Sequence, residues 1–272
     1  LQGDWSSDVC SSDLYMSKLI TAERRNKIAE LIISNGSIKV GELAKTFAVS
    51  TETIRKDLIY LDKQGIIKKS HGGALSSLEV IEKPLEDRNM ENYDAKLAIA
   101  NEALKFIKDH SVIFIDAGST TLCLAKLLYL KKGLTIITNS VSALNVLSNS
   151  DNIVHLSGGQ LNNTTMALEG FGATSFLSKI KVDVAFLGSS GFKEHFGPTS
   201  IDFSDAEVKR IMIRNSKQNF VLADSKKSRS TAMVEYATWK NIDFLITDDN
   251  ISDKEIDFLQ KNTTVLVVKT KT

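Results

Sequence analysis

The chain has 272 residues, 42% hydrophobic and 25% charged, with a formal net charge of +1, so it has the composition of an ordinary globular chain able to bury a core without crosslinks. Two cysteines, Cys10 and Cys123, exclude a disulfide framework, and two prolines exclude a proline-rich linker protein. The longest uncharged run, Leu134 to Ser150, is broken by Thr, Asn and Ser and does not read as a membrane span.

Residues 1–15 carry three Asp, no base and a repeated Ser-Ser-Asp, with neither helical nor strand periodicity. They lack the basic start and apolar middle of a signal peptide and read as a non-native leader ahead of Met16. From Met16 to Leu75 the charge reverses, with eleven Lys and Arg against six acids, a net of +5. A basic head on a near-neutral body points to a polyanionic partner for the head, the alternative being a solvated helical face.

Within that head, Thr21 is a candidate cap for a first helix with Ile28, Leu31 and Ile32 on its apolar side, and Asn35-Gly36 closes it. Val40, Leu43, Ala44 and Phe47 predict a short second helix, followed by the tight connection Ala48-Val49-Ser50. Ser50 can cap a third helix in which Ile54, Leu58 and Leu61 face inward. The opposite side of its start presents Thr51, Glu52, Thr53, Arg55 and Lys56, the arrangement of a helix-turn-helix reader. An Arg there can fork onto guanine, and a Lys can neutralise a phosphate. After Gly65, Ile66-Ile67-Lys68-Lys69-Ser70-His71-Gly72-Gly73 reads as a strand and basic turn, a wing placing Lys68, Lys69 and His71 near a DNA backbone. A protein-docking module of the same shape is the alternative.

The run from Thr53 to Ala74, TIRKDLIYLDKQGIIKKSHGGA, resembles the signature of DeoR-type bacterial transcription regulators. Lys56 and Lys69 stand where that signature has Arg, keeping charge while losing the planar fork.

Residues 76–91 read as a linker on their charge, Pro84 and weak periodicity. From residue 92 to 272, seven apolar strands are expected at Val112–Asp116, Leu134–Thr138, Ile153–Leu156, Val182–Leu187, Asn219–Ala223, Ile242–Thr247 and Thr264–Val268. Helical patterns at Lys96–Lys108, Thr121–Leu130, Val141–Leu147, Ser204–Asn215 and Asp253–Lys261 alternate with several of them. The fold class is α/β: a winged helix-turn-helix followed by a mainly parallel, helix-covered sheet whose ligands sit at the carboxyl ends of strands.

The strongest ligand loop is Asp116-Ala117-Gly118-Ser119-Thr120-Thr121, which leaves a strand and opens a helix. Its glycine, hydroxyls and free helix amides suit a small anion, while a plain capping turn is the alternative. It lacks the Walker and dinucleotide patterns, so a small phosphorylated metabolite fits better than ATP or NAD, and no cofactor is expected. Thr138-Asn139-Ser140, Ser157-Gly158-Gly159-Gln160, Gly188-Ser189-Ser190-Gly191 and Asp224-Ser225-Lys226 follow later strands and could close a pocket.

The body is similar to the sensor domain of the same regulators, itself related in fold to ribose-5-phosphate isomerase, through DAGSTT (116–121), TNS (138–140), SGG (157–159), DVAFLG (183–188), EVKRIM (207–212), DSK (224–226) and ITD (246–248). That resemblance implies a sugar-phosphate effector held by the first loop and Lys226, with Asn139, Glu207 and Lys209 nearby. It implies a cytoplasmic, homo-oligomeric repressor of a sugar-metabolism operon that binds double-stranded operator DNA. The rival is a sugar-phosphate isomerase with a DNA-binding head. Acids cluster after the central strand in those isomerases, whereas here Gly188 to Phe192 holds no carboxylate, which argues against an enzyme. His110, His155 and His195 show no zinc spacing, and Cys123 reads as a buried small hydrophobe.

Overall fold

The computed structural model describes residues 21–35, 37–63, 67–70, 73–76 and 84–270. The chain divides into two compact units, Leu1–Ile81 and Glu82–Thr272. Among the described residues no helix is long and apolar enough to cross a membrane.

The first unit holds α1 (Thr21–Asn35), β1 (Ser37–Lys39), α2 (Val40–Thr46), α3 (Thr51–Lys63), β2 (Ile67–Ser70) and β3 (Gly73–Ser76). The three helical stripes legible in the sequence meet as expected: Ile28, Ile32, Leu43, Phe47, Ile54, Leu58 and Leu61 form one buried cluster, which Ile67 joins from β2. Leu31, Val40 and Ala44 pack on its margin. Ala48, at φ 50°, takes the left-handed turn that separates α2 from α3. The strands pair antiparallel in the order β1-β3-β2, with Ser70 opposite Gly73 and Ser37 opposite Leu75. Strand β1 was not expected, because three residues between two helices leave no period to read. His71 lies outside the described residues.

The second unit is built on a seven-stranded, all-parallel sheet. Its strands are β4 (Val112–Ile115), β5 (Thr135–Thr138), β6 (Ile153–Leu156), β9 (Val182–Gly188), β11 (Ser216–Leu222), β13 (Phe244–Asp248) and β14 (Thr264–Val268). All seven expected strands are present, in the order β14-β13-β11-β9-β4-β5-β6. Central parallel strands are covered on both faces, and the side chains divide accordingly. Ile113, Ile115, Val184, Phe186, Phe220, Leu222 and Ile246 enter one core, with α5 (Tyr93–Leu104), α6 (Ser119–Leu128) and α7 (Val141–Leu147). Phe114, Ile137, Ala185 and Leu187 enter the other, against α8 (Gly170–Leu177) and α9 (Phe203–Arg214). A smaller cluster under α10 (Asp253–Leu259) seats Phe192 edge-on against Trp239.

Several short pieces escaped the sequence reading. Part of the stretch read as linker is the helix α4 (Leu85–Met90), whose Leu85 is buried in the first core of the second unit and donates its amide to the Thr164 carbonyl at 2.9 Å. Six residues are too few to display a helical period. The ribbon of β7 (Gln160–Asn162) and β8 (Ala167–Glu169), and the pair of β10 (Thr199–Ser200) and β12 (Val234–Glu235), are antiparallel additions outside the main sheet. Helix α8 was missed because its sequence, GFGATSFL, opens with two glycines and has weak intrinsic helical preference. Its Ala173 and Leu177 bury against α9, and packing supplies what propensity lacks.

Candidate functional site

In the first unit the candidate site expected from the sequence is the start of α3. The Ser50 hydroxyl accepts the Thr53 amide at 3.1 Å and lies 2.9 Å from the Thr53 hydroxyl, so the expected cap is in place. With Ile54, Leu58 and Leu61 buried, helical geometry turns Thr51, Glu52, Arg55 and Lys56 outward, and all four are exposed. Arg55 makes one long, solvent-exposed contact of 3.5 Å to Glu52, an interaction too weak to withhold its guanidinium from a ligand. Lys68 and Lys69 lie on β2, opposite Leu75 and Ala74 of β3.

One polar residue of α3 faces inward and escaped the sequence reading. Asp57 is buried at 1% exposure, its two oxygens accepting Nε–H of Arg24 at 2.7 Å and of Arg25 at 2.8 Å. The signal was available: an acid between Ile54 and Leu58 on the apolar stripe demands a cationic partner.

In the second unit the strand order places the site. From β4 the chain runs outward through β5 and β6 in one direction, and from β9 through β11, β13 and β14 in the other. The order reverses between β4 and β9, the position at whose carboxyl ends open α/β sheets form their ligand crevice. Asp116 follows β4 there, and Gly188 ends β9. The Gly188 amide donates to Asp116 Oδ2 at 2.9 Å, and the Gly188 carbonyl accepts the Tyr236 hydroxyl at 2.7 Å.

Lys209 of α9 reaches the same point. Its ammonium is 3.0 Å from Asp116 Oδ2 and 2.6 Å from both oxygens of Asp205, one helical turn earlier. Asp205 also accepts a short bond from Ser200. Burial pushes the Asp116 carboxyl up to about 6 while the Lys209 ammonium opposes it. Lys209 loses by burial, yet the two carboxylates hold it well above the usual lysine range. Tyr236 is kept neutral by burial and by the same two acids.

Around this knot, Thr121 Oγ1 bonds the carbonyls of Asp116 at 2.7 Å and Gly118 at 3.0 Å. Asn139 Oδ1 accepts the Ala117 amide at 3.1 Å, tying the first loop to the strand beside it. Ser119, Thr120 and Thr121 are buried at the start of α6, where free helix amides and the helix dipole favour an anion. A side chain at Gly118 would meet Thr121 Oγ1 at 3.2 Å. The Ser157-Gly158-Gly159 turn serves packing: Gly159 sits at φ +112°, where a Cβ would lie 2.4 Å from the Glu169 carbonyl.

The remaining expected residues stand further out. Lys226 is exposed on the 3-10 turn Ser225–Arg229 and lines a cleft of about 670 Å³ with Asn92, Asp224, Arg229 and Asn250. This cleft follows β11, two strands from β4 and so about 10 Å across the sheet. Glu207 is not brought to the crevice. It turns to the half-exposed side of α9 and pairs with Arg210 at 3.5 Å and Arg214 at 3.4 Å.

Burial, then Asp202 and Asp205, pushes Glu169 up to about 7. Asp116 and Glu169 both bind protons in the folded chain that the unfolded chain releases, so their contribution to stability declines as pH rises between about 4.5 and about 7. Glu169→Gln should flatten the pH dependence of unfolding across that window, measured by denaturant titration. An unchanged slope would remove Glu169 as its source.

Comparison with known proteins now bears on both units. The profile of the DeoR C terminal sensor domain matches residues 91–249, and that of the DeoR-like helix-turn-helix domain matches residues 24–79. The chain belongs to the DeoR family. Among DeoR-family relatives, the HTH-type transcriptional regulator GolR of Listeria innocua is 37% identical over 233 residues, 85% of this chain and 91% of the relative. IolR of Bacillus subtilis is 31% identical over 232 residues, 85% of this chain and 92% of the relative. The glycerol-3-phosphate regulon repressor of Escherichia coli is 31% identical over 227 residues, 83% and 90% of the two chains. Among solved structures, ribose 5-phosphate isomerase A of Methanocaldococcus jannaschii aligns over 50% of this chain and 55% of the other, with 22% identity and a TM-score of 0.38.

Proposed function

We propose that this DeoR-family chain is a cytoplasmic transcription repressor of a sugar-metabolism operon, released from its operator when a phosphorylated sugar binds the sensor. The observation that carries the reading is the pairing, in one chain, of a capped helix exposing Arg55 and Lys56 with a strand-order reversal at which Asp116 and the hydroxyl-rich start of α6 meet. A relative named as a glycerol-3-phosphate regulon repressor supports a small phosphorylated metabolite, and one named as a putative aga operon transcriptional repressor supports repression.

In this reading the phosphoryl group rests on the α6 amides with Gly118, Ser119, Thr120 and Thr121, while Asp116 and Asn139 hold that loop in shape. Lys226 supplies a counter-charge from the cleft beyond β11. Two copies of the head, in a dimer or tetramer, match paired half-sites on DNA. Regulation requires the sugar to bind the DNA-competent and DNA-released states unequally.

The isomerase reading is disfavoured because Asp116 and Asp205 are both bonded to Lys209, which leaves neither as an unpaired base at the crevice. The experiment is a thermal-shift screen of phosphorylated sugars on the pure chain, followed by release from an enriched duplex. A sugar phosphate that raises the melting temperature and frees DNA is expected, with Lys226→Ala keeping DNA binding and losing the response. Turnover of the sugar, or a screen in which none binds, would overturn the reading.

A further inference from the structure

Apolar packing holds α3 in its unit, but it fixes the rotation of a helix poorly. A turn of about 20° moves a side-chain tip about 6 Å from the axis by about 2 Å, more than the tolerance of a two-bond contact to a base edge. Directional bonds are needed to hold the aim of Arg55 and Lys56.

Asp57, adjacent to Lys56, supplies them. Its two oxygens take one bond each from Arg24 and Arg25, in the first turn of α1 and more than thirty residues away in sequence. Arg25 is further confined, its guanidinium carbon lying 3.9 Å over the ring of Tyr60, on the next turn of α3. Both arginine side chains are mostly covered, at 12% and 26% exposure, and the carboxylate at 2%. Two planar guanidiniums on one buried carboxylate define a rotation about the α3 axis as no set of methyl contacts can.

We propose that Asp57 is a positioning residue for sequence reading: through Arg24 and Arg25 it locks the rotation of α3 against α1 and so sets where Arg55 and Lys56 point. The inference rests on α3 being the DNA-reading helix. Asp57 itself touches no DNA.

The test uses the full chain and two probes, a duplex pool enriched by the wild-type chain from random sequence and the unselected pool. Asp57→Asn is nearly isosteric but turns an amide toward a guanidinium. Arg24→Lys keeps the charge and loses the planar fork. Each should lower the ratio of enriched to unselected affinity at least about tenfold, a shift of about 1.4 kcal/mol. Affinity for the unselected pool should hold in Arg24→Lys and hold or rise in Asp57→Asn, where a negative charge is removed. A ratio within twofold of wild type in either variant overturns the proposal. So does a parallel loss on both probes that tracks the folded fraction by circular dichroism, the behaviour of a merely structural pair. Failure of the wild-type chain to enrich any duplex would instead strike the DNA-binding reading itself.

Discussion

Lys209→Met is expected to destabilise the sensor unit by about 3–5 kcal/mol, the cost of breaking a buried ion pair from one side. Lys209 is 4% exposed, and its ammonium is the cation that Asp116 and Asp205 share. Without it two carboxylates face each other beside Gly188, and Tyr236, whose own hydroxyl is committed to the Gly188 carbonyl, gives them nothing. The carboxylates would respond by taking up a proton, which makes the variant's stability fall steeply as pH rises through neutrality. Urea unfolding at several pH values reads both effects. Adding Asp205→Asn to Lys209→Met should restore part of the loss, since one of the two uncompensated charges is removed. A single variant that unfolds at the wild-type midpoint would show that the knot contributes nothing to stability.

That knot marks the limit of what the sequence reveals. The period-3.6 stripes of the head and the seven apolar strand runs were legible because each buries a face, and burial writes a pattern into neighbouring residues. The Ser50 cap and the loop at Asp116 were legible for a related reason, since both depend on local chemistry within a few residues. What brings Asp116 to Lys209 is a contact across 93 residues, fixed by strand order and not by any local period. The EVKRIM segment placed Glu207 and Lys209 together in sequence, yet two positions on a helix lie on different sides. Lys209 therefore enters the crevice, while Glu207 joins Arg210 and Arg214 outside it. Asp57 announced a cationic partner by its place on the apolar stripe but not which one, since Arg24 and Arg25 lie more than thirty residues away, and counting them as free basic charge overstated what the head can offer a phosphate backbone.

Arg55 faces the groove instead, and Arg55→Ala should lower affinity for an enriched duplex by about 5- to 150-fold, the worth of one good two-bond contact to a base at about 1–3 kcal/mol. Among the described residues its ion-pair partner is Glu52, 3.5 Å away with both side chains more than half exposed, so forming a DNA contact gives up almost nothing. Arg55→Lys separates the two components of the contact. It retains the charge that steers association and neutralises phosphate, but presents no planar pair of donors, so it should lose discrimination between enriched and random duplex while keeping most affinity for the random pool. Lys68, on the β2 strand of the wing, should behave in the opposite way: Lys68→Ala weakens every duplex alike and reduces the slope of log affinity against log salt by about one. Filter binding or anisotropy across a salt series distinguishes the two. Equal losses on enriched and random duplex for both positions would mean that α3 and the wing do the same work, and that sequence is read elsewhere in the head.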